Sequence, residues 1–143
     1  MPPKPSKDQK AYLHDMLESA QKALGYVQGV SYDEFWQNSE KRDAVAMRIA
    51  AIGEAARQIT TATEAAVPNV PFHLIRGMRN RIAHHYDKVD FVEVWKVTQQ
   101  DLVPLVSALE RYLQEEKQRL ALAQHIDLSS VPPPPPKRDS PSP

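Results

Sequence analysis

Residues 40–61 decide the fold, and they read EKRDAVAMRIAAIGEAARQITT. The apolar side chains of this stretch recur three or four positions apart, at Val45, Ile49, Ile52, Ala56 and Ile59. This spacing places them on one face of an α-helix. A helix with one apolar face buries it against other helices, and this rhythm suits near-antiparallel packing. The stretch therefore predicts the central helix of a helical bundle.

Three further main helices are predicted around the central one. The first begins near Asp8 and ends at Gly29, because its apolar positions share one stripe and glycine favours a helix end. The third follows Pro71, with Asn69 as its candidate N-cap. The last begins near Asp90 and should bend at Pro104, which lacks a backbone N–H donor. Four helices joined by short connections predict antiparallel neighbours.

A short extra helical turn is predicted before the central helix. Ser31 and Glu34 are spaced as in a capping box, in which each side chain satisfies an early backbone amide of the other residue. Phe35 and Trp36 follow at once and supply its apolar surface.

The predicted fold class is all-α, an antiparallel four-helix-type bundle with a short extra helical turn and a disordered proline-rich tail. Residues 1–7 are predicted to be a flexible leader, and residues 8–125 form the helical domain. Residues 126–143 contain five consecutive prolines and cannot form a core, so they are predicted to be disordered.

Composition limits the classes of function. The 143 residues include 18 basic and 18 acidic side chains, so the total charge gives no case for nucleic-acid or membrane binding. The chain has no cysteine, which excludes disulfides, thiolate metal sites and a cysteine nucleophile. The N-terminus has no apolar signal segment, and no apolar run approaches the roughly 18 residues that span a membrane. We expect a soluble, cytoplasmic protein without a membrane partner.

One segment concentrates the groups that suit chemistry, and it reads RNRIAHHY at residues 79–86. Within thirteen positions the sequence places six basic side chains, Arg76, Arg79, Arg81, His84, His85 and Lys88. Histidine moves protons near neutral pH, and arginine offers a planar fork of donors to a phosphate. RNA carries its own nucleophile, the 2′-hydroxyl, so this pair of residue types suits RNA cleavage without a metal. The alternative is a solvent-exposed basic surface without a catalytic role.

Helical geometry predicts which of these side chains share a face. If the third helix runs through the segment, Asn80 and His84 lie on one outward ridge, whereas His85 lies nearer the core edge. Arg79 and His84 would then lie about 140° apart, which is awkward for one compact site. A two-fold dimer would bring two such segments together across a shared interface. The sequence therefore predicts a homodimer.

The segment Arg79-Asn80-x-x-x-His84-x-Tyr86 resembles the Arg-x4-His-x-Tyr signature of HepT-like toxins, which have the HEPN fold. Residues 52–56, residues 71–80 and residues 89–95 resemble the flanking parts of that family. The resemblance covers roughly residues 8–116 and leaves out the proline-rich tail.

The resemblance implies the toxin of a type VII-like toxin–antitoxin system, a metal-independent endoribonuclease that acts as a homodimer. Arg79 would bind and polarise the scissile phosphate, His84 would be the acid and base, and Asn80 would orient the phosphate or the histidine. Tyr86 matches the tyrosine that the cognate antitoxin, a minimal nucleotidyltransferase, modifies with AMP from ATP. The toxin itself would need no cofactor.

Four further residues are candidates around the phosphate: Arg76, Arg81, His85 and Glu54. A Glu54 carboxylate could orient Arg79 or form a purely structural ion pair with it. The other histidines, His14, His73 and His125, are scattered and suggest no metal site.

Two other readings of the sequence stay open. The chain could be a non-catalytic HEPN adaptor that binds a nucleotidyltransferase and a nucleotide. It could also be a generic dimeric bundle with an incidental basic face. The complete set of Arg79, Asn80, His84 and Tyr86 favours the ribonuclease.

Overall fold

The computed structural model describes residues 4–84 and 88–130, without the side chains of His84 and of residues 125–130. Its helices are α1 Lys7–Val27, α2 Tyr32–Gln37, α3 Ser39–Arg57, α4 Thr61–Ala66, α5 Phe72–Arg76, α6 Met78–Ile82, α7 Phe91–Lys96 and α8 Leu102–Ser130. A π-helical turn, Val97–Asp101, joins α7 to α8. Two strands of two residues each, β1 Ala83–His84 and β2 Lys88–Val89, pair antiparallel.

The predicted all-α class is confirmed, because the protein is a packed helical bundle. Helix α3 contacts α1, α2, α5, α6 and α7. The predicted stripe faces this core, since Val45, Ile49, Ile52 and Ala56 are fully buried and Ile59 nearly so. Burying a side chain such as isoleucine contributes about 1.5–3 kcal/mol, so α3 holds its neighbours together.

Helices α1 and α3 run antiparallel, as two hydrogen bonds at opposite ends show. The Gln9 side chain at the start of α1 donates to the Gln58 carbonyl oxygen at the end of α3, at 2.7 Å. Lys41 at the start of α3 donates to the Tyr26 carbonyl oxygen at the end of α1, at 2.8 Å. The beginning of each helix therefore meets the end of the other.

Two of the predicted helix boundaries are confirmed. Helix α1 ends at Val27, and Gly29 adopts φ +71°, the left-handed conformation that glycine tolerates best. The Ser31–Glu34 capping box forms, with hydrogen bonds of 3.0 and 3.1 Å. The backbone and hydroxyl hydrogen bonds from Ser31 lower the pKa of the Glu34 carboxyl. This box begins α2, the predicted extra helical turn.

The central helix is shorter than predicted, because it ends at Arg57 and a separate helix, α4, begins at Thr61. Thr60 caps α4 through its hydroxyl, which accepts from the Thr63 N–H at 3.2 Å. The Gln9 side chain also accepts from the Thr60 N–H at 2.8 Å. A long-range partner thus satisfies the backbone at the break, and periodicity within one helix could not reveal it.

The third predicted helix is also divided, into α5 and α6, at Gly77. Its apolar side is as expected, since Phe72, Ile75, Met78 and Ile82 are all buried. The predicted cap was wrong: Pro71 is the N-cap residue, and Asn69 adopts φ +67°. Asparagine tolerates the left-handed region, so it serves the turn before the helix rather than the cap.

The last predicted helix begins as expected. The Asp90 side chain caps it by accepting from the backbone amides of Val92 and Glu93, both at 3.1 Å. The distortion expected from Pro104 takes the form of the π-helical turn just before it, where the Leu102 N–H donates to the Val97 carbonyl oxygen. Proline removes one helical donor and its ring crowds the preceding turn, which favours such an irregularity.

The chain divides into two compact units, Met1–Arg111 and Tyr112–Pro143. In the second unit Arg119 donates to Glu116 at 2.6 Å, one helical turn away. Helix α8 reaches Ser130, beyond the predicted domain end at residue 125, and the proline run lies outside the described residues.

Among the helices of the described part, none has the length and apolar character that crossing a membrane requires.

Helix α3 lies against the junction of α5 and α6 at Gly53. A Cβ atom at this buried glycine would lie 3.6 Å from the Arg79 backbone nitrogen and 3.6 Å from the Ile75 carbonyl oxygen. These are ordinary contact distances, so a methyl group fits and a larger side chain does not. The small residue therefore allows the close approach of α3 to the segment that bears Arg79.

We expect Gly53→Ala to raise the free energy of unfolding by up to about 1 kcal/mol, because alanine favours a helix interior over glycine. Gly53→Leu should lower it by about 1–3 kcal/mol, because the larger side chain forces α3 away from Arg79. Urea denaturation followed by circular dichroism measures both values. Equal effects of the two substitutions would contradict a close approach at this position.

Candidate active site

The segment predicted to carry chemistry begins on α6 and leaves the helix after Ile82. Arg79 and Asn80 are exposed on α6, and Arg81 is half-buried. Ala83 and His84 form β1 and pair with Val89 and Lys88 respectively. The segment therefore lies on two different elements, a one-turn helix and a short strand.

The helical ridge predicted for Asn80 and His84 was wrong, because α6 ends at Ile82. The Ile82 carbonyl oxygen instead accepts from the Asp90 N–H at 2.5 Å, which ties the end of α6 to the start of α7. Extended backbone begins at Ala83, with φ −78° and ψ 133°. The wheel angles used for Arg79, His84 and His85 therefore do not apply, and neither does the argument for a dimer that used them.

His84 is placed by its backbone alone, opposite Lys88. Its side chain lies outside the described residues, and so do His85, Tyr86 and Asp87. The roles expected of His84, His85 and Tyr86 consequently stay predictions. The residues on either side of residues 85–87, His84 and Lys88, are paired with each other in the two short strands.

Arg79 forms an ion pair with Glu54 of α3, at 2.7 Å between Nη1 and Oε1. The Arg79 side chain is 57% exposed and that of Glu54 is 50% exposed. A pair this accessible contributes little to stability, but its hydrogen bond restricts the guanidinium to fewer orientations. Among the described contacts, the Arg79 guanidinium has no second hydrogen-bond partner.

The other two arginines of the basic cluster, residues 76–88, are also paired with carboxylates. Arg76 donates to Glu64 of α4. Arg81 donates to Asp101 at 2.9 Å and lies 3.5 Å from Glu93. The three arginines of the basic cluster are thus each paired with a carboxylate that lies 12 to 25 positions away along the chain.

The sequence patterns did not predict Glu64, Glu93 or Asp101 as partners of these arginines. No local pattern connects Arg81 with Asp101, which lies twenty positions further on and inside the π-helical turn. A search for charge balance around the basic cluster would have suggested that carboxylates approach it, without saying which.

Glu54 also lines an open groove of about 740 Å³ between α1 and α3. Asp15 and Glu18 add two more carboxylates to this groove, whereas Arg48 adds one guanidinium. A surplus of negative charge disfavours the binding of a phosphate group in this groove. Among the residues with described side chains, no three His, Asp or Glu residues form a group that could hold a metal ion.

Comparison with known proteins places the segment in a family. A model described as HepT-like, "Ribonuclease HepT-like", matches residues 16–116, which include α3, α6 and the whole of residues 79–86. No solved structure matches the chain.

Three similar proteins carry ribonuclease names. Putative RNase MJ1380 of Methanocaldococcus jannaschii is 35% identical over 104 residues, which cover 73% of this chain and 95% of that protein. Putative RNase TTE0752 of Caldanaerobacter subterraneus is 25% identical, over 78% of this chain and 99% of its own length. Probable ribonuclease HepT of Thermococcus cleftensis is 26% identical, over 71% of this chain and 93% of its own length.

The family model covers most of the chain, and the relative from Methanocaldococcus jannaschii matches it over nearly its own full length. The chain therefore belongs to the HepT-like ribonuclease family.

Proposed function

We propose that this protein is an endoribonuclease toxin that cleaves RNA without a metal and is silenced by AMPylation of Tyr86. The observation that carries the proposal is the family match across residues 79–86, in which an exposed Arg79 is oriented by Glu54. Ribonuclease activity accords with the names of the relatives. The antitoxin and the AMP modification are inferred from the signature that ends at Tyr86.

The proposed reaction uses the 2′-hydroxyl of the RNA as nucleophile. His84 accepts the proton of that hydroxyl, and the 2′-oxygen attacks the adjacent phosphorus. The bond from phosphorus to the 5′-oxygen breaks, and a proton is delivered to that leaving oxygen. Arg79 stabilises the charge that develops on the phosphoryl oxygens, and Asn80 orients the phosphate. The products are a 2′,3′-cyclic phosphate and a 5′-hydroxyl.

We further propose that the active form is a homodimer, in which two copies of the segment share one cleft. The resemblance to the HepT-like family supports this assembly. A second argument is that one short segment by itself offers a phosphate only a few hydrogen-bond donors. The exposed position of Arg79 and Asn80 is compatible with a contact that crosses a symmetry axis.

AMPylation of Tyr86 would act as a local switch. The added group brings a negative phosphate and a bulky adenosine two residues after His84. Both repel or obstruct the RNA backbone at the position where it must bind.

His84→Ala and Arg79→Ala should each lower RNA cleavage at least about 100-fold, because each removes a group that acts in the transition state. Exposed residues of the same types serve as controls: His73→Ala and Arg57→Ala should leave the rate unchanged. The measurement is cleavage of labelled total RNA with excess EDTA present. Inert wild-type protein, or full activity of His84→Ala, would favour the adaptor reading instead.

Glu54→Gln should lower the cleavage rate about tenfold, since Arg79 loses the carboxylate that orients it. The free energy of unfolding should change by less than about 1 kcal/mol, because the pair is half-exposed. Single-turnover cleavage and urea denaturation measure the two effects. Glu115→Gln on α8 makes the same charge change outside the segment and should affect neither. A purely structural pair would show the opposite order, lost stability with unchanged cleavage.

Tyr86→Phe should keep its ribonuclease activity and escape the antitoxin, because phenylalanine has no hydroxyl to accept AMP. Cells that express this variant together with the nucleotidyltransferase should stop growing, whereas cells with the wild-type pair should grow. Tyr32→Phe removes the hydroxyl of another exposed tyrosine and should be neutralised normally. Mass spectrometry locates the AMP group. Modification of a different residue would refute this part of the proposal.

A further inference from the structure

Arg81 is placed differently from Arg79, although the two lie only two positions apart. Its guanidinium donates to Asp101 at 2.9 Å and lies 3.5 Å from Glu93, so it joins α6 to two later segments. The Arg81 side chain is 35% exposed, and those of Asp101 and Glu93 are 32% and 27% exposed. Two carboxylates therefore already occupy much of its donor fork.

The surroundings of this pair strengthen it. Arg81 and Asp101 line a pocket of about 100 Å³ whose other lining residues are mostly apolar, among them Leu74, Ile75 and Leu105. Apolar neighbours limit the water around this partly exposed pair and so reduce its screening in part. The guanidinium would have to leave two carboxylates and this pocket in order to reach a phosphate.

The π-helical turn explains how both carboxylates reach one guanidinium. In an uninterrupted α-helix Gln100 would lie about 20° from Glu93, whereas Asp101 would lie about 80° away. A π-helical turn contains one extra residue, which moves later positions back by one place. Asp101 ends that turn, so the insertion brings its carboxylate toward the face that Glu93 already occupies.

We propose that Arg81 is a positioning residue, which with Asp101 and Glu93 clamps the end of α6 and thereby sets the place of β1. Ile82 follows Arg81 directly, and its carbonyl oxygen accepts from the Asp90 N–H. The clamp and this hydrogen bond hold the backbone just before His84 against the start of α7. The inference rests on the proposed ribonuclease function, and it assigns Arg81 a role other than phosphate binding.

The kinetic test compares Arg81→Gln, Asp101→Asn and the double variant in RNA cleavage. Each single substitution should lower kcat about 10- to 100-fold, because small displacements of a catalytic group have effects of this size. KM should stay within about twofold in each, since no substrate contact is removed. The double variant should be no worse than the singles, because the two residues act as one unit. Arg81→Lys, which keeps one charged contact, should recover part of kcat.

The control is Arg119→Gln. Arg119 also donates to a carboxylate, Glu116, but both residues lie on α8 and outside the proposed site. This variant should keep kcat. If Arg81 instead binds phosphate, Arg81→Gln would raise KM at constant kcat, and Asp101→Asn would lower KM by releasing the guanidinium. Either result would overturn the proposal.

A second measurement needs no RNA and so separates this inference from the proposed function. Hydrogen exchange of the Asp90 amide reports its bond to Ile82 in the full-length protein. Asp101→Asn should speed this exchange about tenfold or more, whereas Arg119→Gln should leave it unchanged. Unchanged exchange in Asp101→Asn would refute the clamp. Accelerated exchange in a protein that cleaves no RNA would uphold the clamp and refute the ribonuclease.

Discussion

The close approach of α3 to the junction of α5 and α6 is the constraint on which the site depends. If Gly53 carried a Cβ atom, that atom would lie 3.6 Å from the Arg79 backbone nitrogen, an ordinary contact distance that leaves no room for a larger side chain. Glu54 is the next residue of α3, so its carboxylate falls within hydrogen-bond distance of Arg79. The buried stripe of α3 holds this geometry in place, because a packed core resists small displacements.

A neutral protein can still provide a phosphate site when its charges have different tasks. Arg76 and Arg81 are half-buried, and each pairs with a carboxylate on another element, so each connects two parts of the fold. Arg79 is the more exposed cation and has a single carboxylate partner among the described contacts. As a result, one guanidinium, that of Arg79, is accessible and held in a limited range of orientations. Three unpaired arginines would repel one another and adopt many side-chain conformations.

Periodicity predicted the helices well because apolar burial repeats with the helical turn. Val45, Ile49 and Ile52 are buried as their spacing requires, and the Ser31–Glu34 cap forms from residues three positions apart. The breaks at Arg57 and Gly77 and the partners of Arg81 could not be predicted in this way. The first break and the pairing of Arg81 depend on groups that are distant in sequence, Gln9 and Asp101. Pro104 indicated a distortion of the last helix, although not its π-helical form.

The end of α6 at Ile82 changes what the segment can do. An unbroken helix would have tied Arg79 and His84 to fixed, poorly matched directions. Here Arg79 is held from one side by α3, and the His84 backbone is held from another by its pairing with Lys88. Each half of the segment therefore has its own anchor, one on α3 and one on β2. A helix-to-strand transition between Arg79 and His84 therefore lets the two proposed catalytic residues be placed independently of each other.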